Sequence, residues 1–536
     1  MFSGKHNLNS EDKNDLGKEK MDNQNEVIFN KMTYYYDRVK KLNSLSIADK
    51  CLENSLYLWG NYSMTLDMVN GNIFFYRFSG EDARTKNEYL YTMDYMSSLL
   101  SAYKMTKKEA YKDKFLELYH MFIEYIDQND PLNNGIELDL PVLGQVLLVI
   151  KAIDILGGIP KENRIQGLFE RYADWLMDKN AWIINDNHGL FQIIAQLHLS
   201  VCMPDSYPIQ EWRQGAIEHL NLLYKEAYYN DHINNEYSLS YFNYNNNLYT
   251  IVCAFCNYYE IEGIKEIDSA IEETRKALNI FAHSDGSFPV IGDGSVFYGD
   301  NWNMESNLFP EGNIAVVKID ELYFSFKNRT EYQSHAHVDL TSITARYKNI
   351  DFLIDSGQYN YDRYTPINRF VRSSAGHSSV FPLYADGLFL MDFCNRISYS
   401  RISDYYADPD SARVVGGYQL DDVSVTREIK AERHTMVISD SWKCEKPTAI
   451  RQRFVIPQVL LENSRFSYAA HLLESKVEGI HFKYQIITDI PNALTTVQFG
   501  VAAPNYNMYE TTMLLDTIAE NTTEGEITAV ITFEEE

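Results

Sequence analysis

Cysteine is scarce in this sequence, and its spacing excludes cysteine-based scaffolds. Six cysteines occur in 536 residues. Their spacing matches neither the disulfide pattern of small secreted domains nor the paired cysteines of a zinc ribbon. Two of them, Cys253 and Cys256, lie in an apolar run with helical spacing. We therefore expect buried free thiols and a reducing compartment.

The sequence also lacks long apolar runs and a net positive charge. No stretch is long and apolar enough to predict a transmembrane helix. Residues 1–28 mix Lys, Asp, Asn and Glu without the apolar segment of a signal peptide. They predict a disordered polar leader and a cytoplasmic protein, unless export follows a route that the sequence does not show. The net charge of −27 disfavours nucleic acid and anionic membranes as partners. An acidic substrate would need a locally basic cleft.

The first half of the chain has a helical pattern. Across residues 29–282 apolar side chains recur at three- and four-residue steps, as in Tyr89 to Leu100 and Lys114 to Phe122. Short breaks rich in Gly, Pro and Asp separate the runs. Many helices with short links predict an α/α toroid or a solenoid. A solenoid of identical units is disfavoured because no strict repeat is present.

The second half has the two-residue period of β-strands. Residues 283–312 are rich in Gly, Asp and Pro and predict a linker. From 313 to 536 apolar and polar residues alternate, as in Leu340 to Tyr347. The second half is thus predicted to be antiparallel β, in a sandwich.

A histidine-rich stretch lies at the start of this β region. His335, His337 and Asp339 alternate, so in a strand they would share one face. A neighbouring strand would bring Asp355 and His377 to the same place. Two interpretations are open at this point. One is a divalent-metal or acid/base site; the other is a hydrogen-bonded polar seam inside the sandwich.

Two polar segments open helices in the first half. Asn187 and His188 precede an apolar run, where free N–H groups and the helix dipole favour an anion, although simple helix capping is an equal alternative. The segment from Glu236 to Tyr244 groups carboxylate, hydroxyl and phenol side chains. A tyrosine in a concave site is able to transfer a proton, but for any single member of forty tyrosines a structural role is the default.

The order of these segments resembles the heparinase II/III-like polysaccharide lyases. The resemblance covers roughly residues 85 to 500. It rests on six segments taken in order: Asn187-His188, Glu236 to Tyr241, Asp285-Gly286 to Gly292-Asp293, His335 to Asp339, Asp355 to Gly357, and Arg372 to Ser378.

The resemblance implies an incomplete α/α toroid followed by an antiparallel β-sandwich, with the active site between them. The implied reaction is β-elimination at a uronic acid. In this assignment Asn187 and His188 neutralise the carboxylate, and His188 is an alternative base. Tyr241 is the acid and potentially also the base, and His335 is a second base or a charge stabiliser.

The resemblance also implies a zinc ion and sugar contacts. The matching metal ligands are His337, Asp355 and His377, with the metal shaping the site. Six further residues are expected to bind substrate: Glu236, Tyr244, Tyr359, Tyr364, Arg369 and Arg372; Tyr361 is a neighbouring candidate.

Some features depart from the family pattern. Ser378 stands where Asn usually follows the histidine, and the acidic balance fits a heavily sulfated substrate poorly. We therefore expect a carboxylated, non-sulfated polysaccharide or oligosaccharide.

Two other functions are weighed against the lyase. A glycoside hydrolase would need two carboxylates about 5–10 Å apart in the cleft, and Glu236, Asp285 and Asp293 are the candidates. A non-catalytic glycan-binding or assembly protein would bind without turnover.

Overall fold

The structure, a computed structural model, describes residues 28–39, 44–60, 62–66, 71–299 and 301–535. The predicted polar leader, apart from its last residue, lies outside the described residues. The helices of the first half are α1 (Ser44–Leu52), α2 (Ala83–Thr92), α3 (Asp94–Thr106), α4 (Glu109–Gln128), α5 (Asp139–Leu156), α6 (Glu162–Met177), α7 (His188–Cys202), α8 (Ile209–Ala227), α9 (Leu239–Tyr258) and α10 (Lys265–Asn279). None of the helices in these ranges meets the length and hydropathy needed to cross a bilayer.

Helix α5 is the centre of the helical half. Its sequence is apolar on nearly all sides, and the residues from Asp139 to Ile153 are buried. A helix that is apolar all round must be covered all round, and α5 contacts α2, α3 and α7. By contrast, α10 buries only one stripe, which includes Ile267 and Ile271. It therefore lies at the outside.

The strands of the described residues form three antiparallel sheets. A hairpin of β1 (Ser55–Leu58) and β2 (Tyr62–Thr65) interrupts the helices. The five-stranded sheet contains β3 (Asn307–Phe309), β4 (Ile314–Ile319), β5 (Leu322–Lys327), β6 (Ser342–Tyr347) and β7 (Ile350–Leu353) in sequence order.

The remaining described strands form a ten-stranded sheet. Its strands are β8 (Val380–Pro382), β9 (Ile397–Ala407), β10 (Ser411–Leu420), β11 (Val423–Glu432), β12 (Thr435–Ile456), β13 (Ser464–Ser467), β14 (Leu472–Val477), β15 (Ile480–Ile487), β16 (Leu494–Asn505) and β17 (Met508–Glu535). The long strands β12 and β17 pair at its centre. Two short helices, α11 (Pro366–Arg372) and α12 (Leu390–Cys394), lie in the connections before β9.

The five-stranded sheet lies between the helices and the larger sheet. Every residue of β4, β5 and β6 is buried. Val316 and Tyr323 join the hydrophobic core of the helices, while Val317 and Phe324 join the core of the β-sandwich. Since alternate strand residues point to opposite faces, the small sheet supplies one face to each core. The predicted order of a helical half followed by an antiparallel sandwich is confirmed.

Candidate active site

Residues from both halves line a cleft of about 840 Å³. The helical half contributes Asn187, His188 and Tyr241 to it, and the β half contributes His335 and Tyr361. The sequence places these residues up to 174 positions apart (Asn187 to Tyr361), and the fold brings them to one cavity.

Tyr241 lies in the first turn of α9 and joins the two halves. Ser238 caps this helix by accepting a hydrogen bond from the Tyr241 backbone N–H at 3.1 Å. The Tyr241 ring stacks on His335, with ring centroids 3.4 Å apart, and its hydroxyl hydrogen-bonds to that of Tyr361. Burial, together with Tyr361, raises the pKa of Tyr241 well above its usual value. The phenol is therefore protonated at neutral pH.

Asp293 organises the histidine stretch. Its carboxylate binds His335 Nδ1 at 3.1 Å, His337 Nε2 at 2.8 Å and the guanidinium of Arg372. Burial opposes ionisation of Asp293, but Arg372 and the two histidines outweigh it and hold its pKa well below the usual range. Asp293 is thus a buried anion that fixes both rings.

The backbone beside Asp293 explains how this loop approaches so closely. Gly292 has a φ of +67°, and a Cβ added there would lie 2.6 Å from the Tyr237 carbonyl oxygen. The position requires glycine, because other residues rarely adopt a positive φ and the side chain would clash.

Glu236 lies behind His335 and does not line the cleft. It is 1% exposed, and its Oε2 is 3.5 Å from His335 Nε2. Asn245 donates to its other oxygen at 2.6 Å. Burial raises the pKa of Glu236. These contacts orient the His335 ring and leave no route for Glu236 to touch a substrate in the cleft.

His188 begins α7 and is held as a cation. Its Nδ1 hydrogen-bonds to Asp139, and its backbone N–H donates to Asp186 at 2.9 Å. Burial alone would lower the pKa of His188, but the bond to Asp139 and the charges of Asp186 and Glu88 raise it to about 10. A positive imidazolium therefore faces the cleft.

Asn187 is buried beside it. Its side chain makes no capping bond, and its Oδ1 has no hydrogen-bond partner among the described residues. The capping interpretation therefore does not account for the Asn187 side chain. Asp186 is the residue that caps the backbone here.

His337, Asp355 and His377 form a compact buried group. One ligand atom from each lies within 4.8 Å of those of the other two. Asp355 binds His377 Nδ1 at 3.1 Å. The second nitrogens, His337 Nδ1 and His377 Nε2, have no hydrogen-bond partner among the described residues. Two imidazoles and a carboxylate are ligands that zinc accepts, so the residues fit such an ion.

The alternation from His335 to Asp339 does not arise from a strand. Residues 328–341 contain no strand, and Asp355 follows the end of β7. Asp339 forms a buried ion pair with Lys327. The prediction of a strand is wrong here, but Asp293 still binds both His335 and His337. The expectation that Asp355 and His377 come to the same place is met at His337.

The predicted substrate-binding residues divide into two groups. Tyr244 and Arg372 line the cleft, but Tyr359, Tyr364 and Arg369 are not among its lining residues. Tyr364 is 80% exposed and lies near Phe389, over whose ring the Arg369 guanidinium also packs. Tyr359 contacts Tyr509.

Some cleft residues escaped sequence reasoning. Asp139 hydrogen-bonds to His188, which lies 49 positions later in the sequence. In its own segment Asp139 is an ordinary acidic residue in the first turn of α5, so no local pattern marks it. Glu88 and Arg363 also line the cleft. For Arg363 a signal existed, since it lies between Tyr361 and Tyr364 in the stretch already singled out.

Solved structures of similar fold include several lyases. The chain matches a structure of heparinase III with a TM-score of 0.79 at 14% identity, covering 95% of this chain and 88% of that one. A heparinase III gene product gives 0.69 at 14% identity, covering 93% and 86%. The heparan sulfate lyase HepC from Pedobacter heparinus gives 0.63 at 14% identity, covering 94% and 84%. These likenesses establish the class of fold, a toroid joined to a β-sandwich.

A family model matches part of the sequence. Residues 303–514 match the family described as Heparinase II/III-like, C-terminal. This part of the chain is similar to that family, and the resemblance drawn from the ordered segments is confirmed. A search of the curated proteins finds no match.

Proposed function

We propose that this protein is a polysaccharide lyase that cleaves a uronic-acid-containing glycan by β-elimination in the cleft. The observation that carries the proposal is the contact of Tyr241 with His335 and Tyr361, in the same cavity as the His188 cation. An elimination needs a neutralised carboxylate, a base for the C5 proton and an acid for the departing oxygen.

Asn187 and His188 would neutralise the substrate carboxylate. The raised pKa of His188 keeps the imidazole positive. Asn187 lines the cleft beside it, and its amide nitrogen would donate a hydrogen bond to the carboxylate. Positive charge and hydrogen bonds at the carboxylate stabilise the enolate-like charge that develops when C5 loses its proton. His188 is a poor base in this state because its proton is firmly held.

Tyr241 and His335 would move the protons. Tyr241 carries a proton at neutral pH, so it would donate to the glycosidic oxygen as the C4–O bond breaks and the C4–C5 double bond forms. His335, stacked on it and oriented by Asp293 and Glu236, would accept the C5 proton or stabilise charge. Tyr241 would act as base only after losing its proton. Tyr361 is also a protonated phenol with a raised pKa, so it would take up that proton only by releasing its own.

A zinc ion at His337, Asp355 and His377 would shape the site without reacting. All three residues are buried, so the ion would supply a structural cross-link between loops. His337 also binds Asp293, which in turn binds His335. Through these contacts the zinc site would fix the position of His335.

The glycoside hydrolase alternative gains no support from the candidate carboxylates. Asp285 binds Arg346 at 2.7 Å and does not line the cleft. Asp293 is enclosed by Arg372 and two histidines, and Glu236 is buried. These three therefore do not form the facing acid pair that hydrolysis requires.

The test is incubation with a panel of uronic-acid polymers under ultraviolet detection. We expect an unsaturated product from a carboxylated, non-sulfated polymer. Tyr241→Phe should reduce its formation by about 10²-fold or more, while Tyr468→Phe, which changes an exposed tyrosine outside the cleft, should leave it unchanged. Reducing ends without an unsaturated product would support hydrolysis, and binding without turnover would support a glycan-binding protein.

A further inference from the structure

A second group of ligand-type side chains lies in the cleft itself. Glu88 on α2, Glu137 just before α5 and His188 at the start of α7 each place one ligand atom within 4.8 Å of those of the other two. All three residues line the cavity. This group is separate from the buried one formed by His337, Asp355 and His377.

The side chain of Glu88 gives independent evidence that this group lacks a ligand. Its side chain is 6% exposed, and its Oε1 has no hydrogen-bond partner among the described residues. Leaving a buried carboxylate oxygen without a partner is costly, and such groups are normally satisfied by a donor, a water or an ion.

His188 is held in the way that metal-binding histidines are held. Its Nδ1 binds the Asp139 carboxylate. A carboxylate that accepts from one ring nitrogen fixes the orientation of metal-bound imidazoles, and an ion at the other nitrogen would displace the proton that the imidazolium carries there. Nε2 is thus the nitrogen left for an ion.

The charges around this group favour a cation. Four carboxylates of the cleft surround His188 in this region: Glu88, Glu137, Asp139 and Asp186. Arg84 pairs with Glu137. The other arginines of the cleft bind elsewhere: Arg38 to Asp94, Arg372 to Asp293 and Arg363 to the Ser334 carbonyl oxygen. Negative charge is therefore in excess around His188, where a uronate carboxylate is expected to bind.

We propose that a divalent cation binds between Glu88, Glu137 and His188. Two carboxylates and one imidazole suit an ion that accepts both oxygen and nitrogen ligands, such as Mn²⁺ or Zn²⁺. The ion would take the place of the His188 proton in neutralising the substrate carboxylate, a role that rests on the proposed lyase function. The binding of the ion itself does not depend on it.

The test is a titration of the metal-stripped full-length protein with Mn²⁺. Electron paramagnetic resonance measures the free ion at each step, and the bound ion is the difference. We expect Glu88→Gln and Glu137→Gln each to bind one Mn²⁺ fewer, or to weaken that site at least tenfold. Glu53→Gln, which changes an exposed glutamate after α1, is the matched control and should bind as the wild type does. Circular dichroism checks the fold of each variant.

Two outcomes overturn the inference: no Mn²⁺ binding to the wild type, or binding that both cleft variants retain in full. The lyase assay separates this result from the proposed function. An unsaturated product without cleft-bound Mn²⁺ removes the ion and keeps the lyase. Mn²⁺ lost specifically in the two variants, without a product from any polymer, keeps the ion site and removes the lyase.

Discussion

Single residues in this protein are fixed by partners that are distant in the sequence. The motifs identified Asn187, His188, Tyr241 and His335 as candidates because their types and order matched a known chemistry. They did not reveal that Asp293 binds His335 and His337 across 42 and 44 positions. No local pattern encodes such a pairing, because the loop conformation that creates it depends on packing between the halves.

His198 shows how a buried histidine makes stability depend on pH. Its Nε2 accepts from the Tyr36 backbone N–H at 3.0 Å, and its Nδ1 lies 2.7 Å from the Ile194 carbonyl oxygen. One nitrogen accepts and the other donates, so the ring is neutral. Burial lowers the pKa of His198 from 6.5 to about 4.

We therefore expect acid to destabilise the fold through His198. Between pH 6.5 and pH 4 the unfolded chain binds a proton that the native state does not. The contribution of neutral His198 to the free energy of unfolding is complete above pH 6.5. It falls by about 1.4 kcal/mol for each pH unit between pH 6.5 and pH 4. Urea unfolding of the wild type and His198→Gln at pH 7 and pH 5 measures the difference in slope. The exposed His120→Gln is the control; equal slopes in all three proteins would contradict the expectation.

At the scale of elements, close approach between helices is set by glycine. In α5, Gly144 faces the end of α2, and a Cβ there would lie 2.2 Å from the Thr92 carbonyl oxygen. In α6, Gly167 has no heavy atom within 4 Å of the same position. The two glycines lie in helices of similar length, but only one has a packing role.

Alanine at these two positions should have opposite effects. We expect Gly144→Ala to lower the free energy of unfolding by about 1–3 kcal/mol, because α2 and α5 must separate. Gly167→Ala should raise it by about 0.5–1 kcal/mol, because alanine favours helix. Chemical denaturation of both variants measures the change; a loss of the same size in both would show that the helix contact is not the cause.

The proposed zinc site connects loops rather than regular elements. Its ligands lie in the loop after β5, the loop after β7 and the segment before β8. We expect elemental analysis of protein purified without added zinc to find one zinc ion per chain, and a strong chelator to lower the midpoint of thermal unfolding. Full activity and unchanged unfolding in protein shown to contain no metal would remove this role.

The regular elements were more predictable than the loops. Helical and strand periods identified both halves, since burial of one face imposes a repeat on the sequence. The same logic failed at His335 to Asp339, where alternation occurs without a strand. Buried polar side chains can also alternate along an irregular loop. A two-residue period in the sequence therefore does not distinguish a strand from such a loop.

At the scale of the whole molecule, charge should govern encounter with the substrate. The chain carries a net charge of −27, so a polyanionic glycan is repelled at long range. Raising the monovalent salt from about 10 mM to about 100 mM shortens the screening length from about 30 Å to about 10 Å. We expect kcat/KM for a carboxylated polymer to rise over this range. A steep fall would indicate that a basic cleft attracts the polymer instead.

The small five-stranded sheet has a consequence for how such proteins are recombined. Ile314, Val316 and Tyr323 complete the core of the helices, although they follow the linker in sequence. A helical half cut before residue 283 would therefore expose an apolar face and aggregate. A cut after β7 would in turn remove Val317 and Phe324 from the core of the sandwich. Exchange of parts between relatives should therefore succeed only where the small sheet keeps both the helices and the larger sheet that it covers.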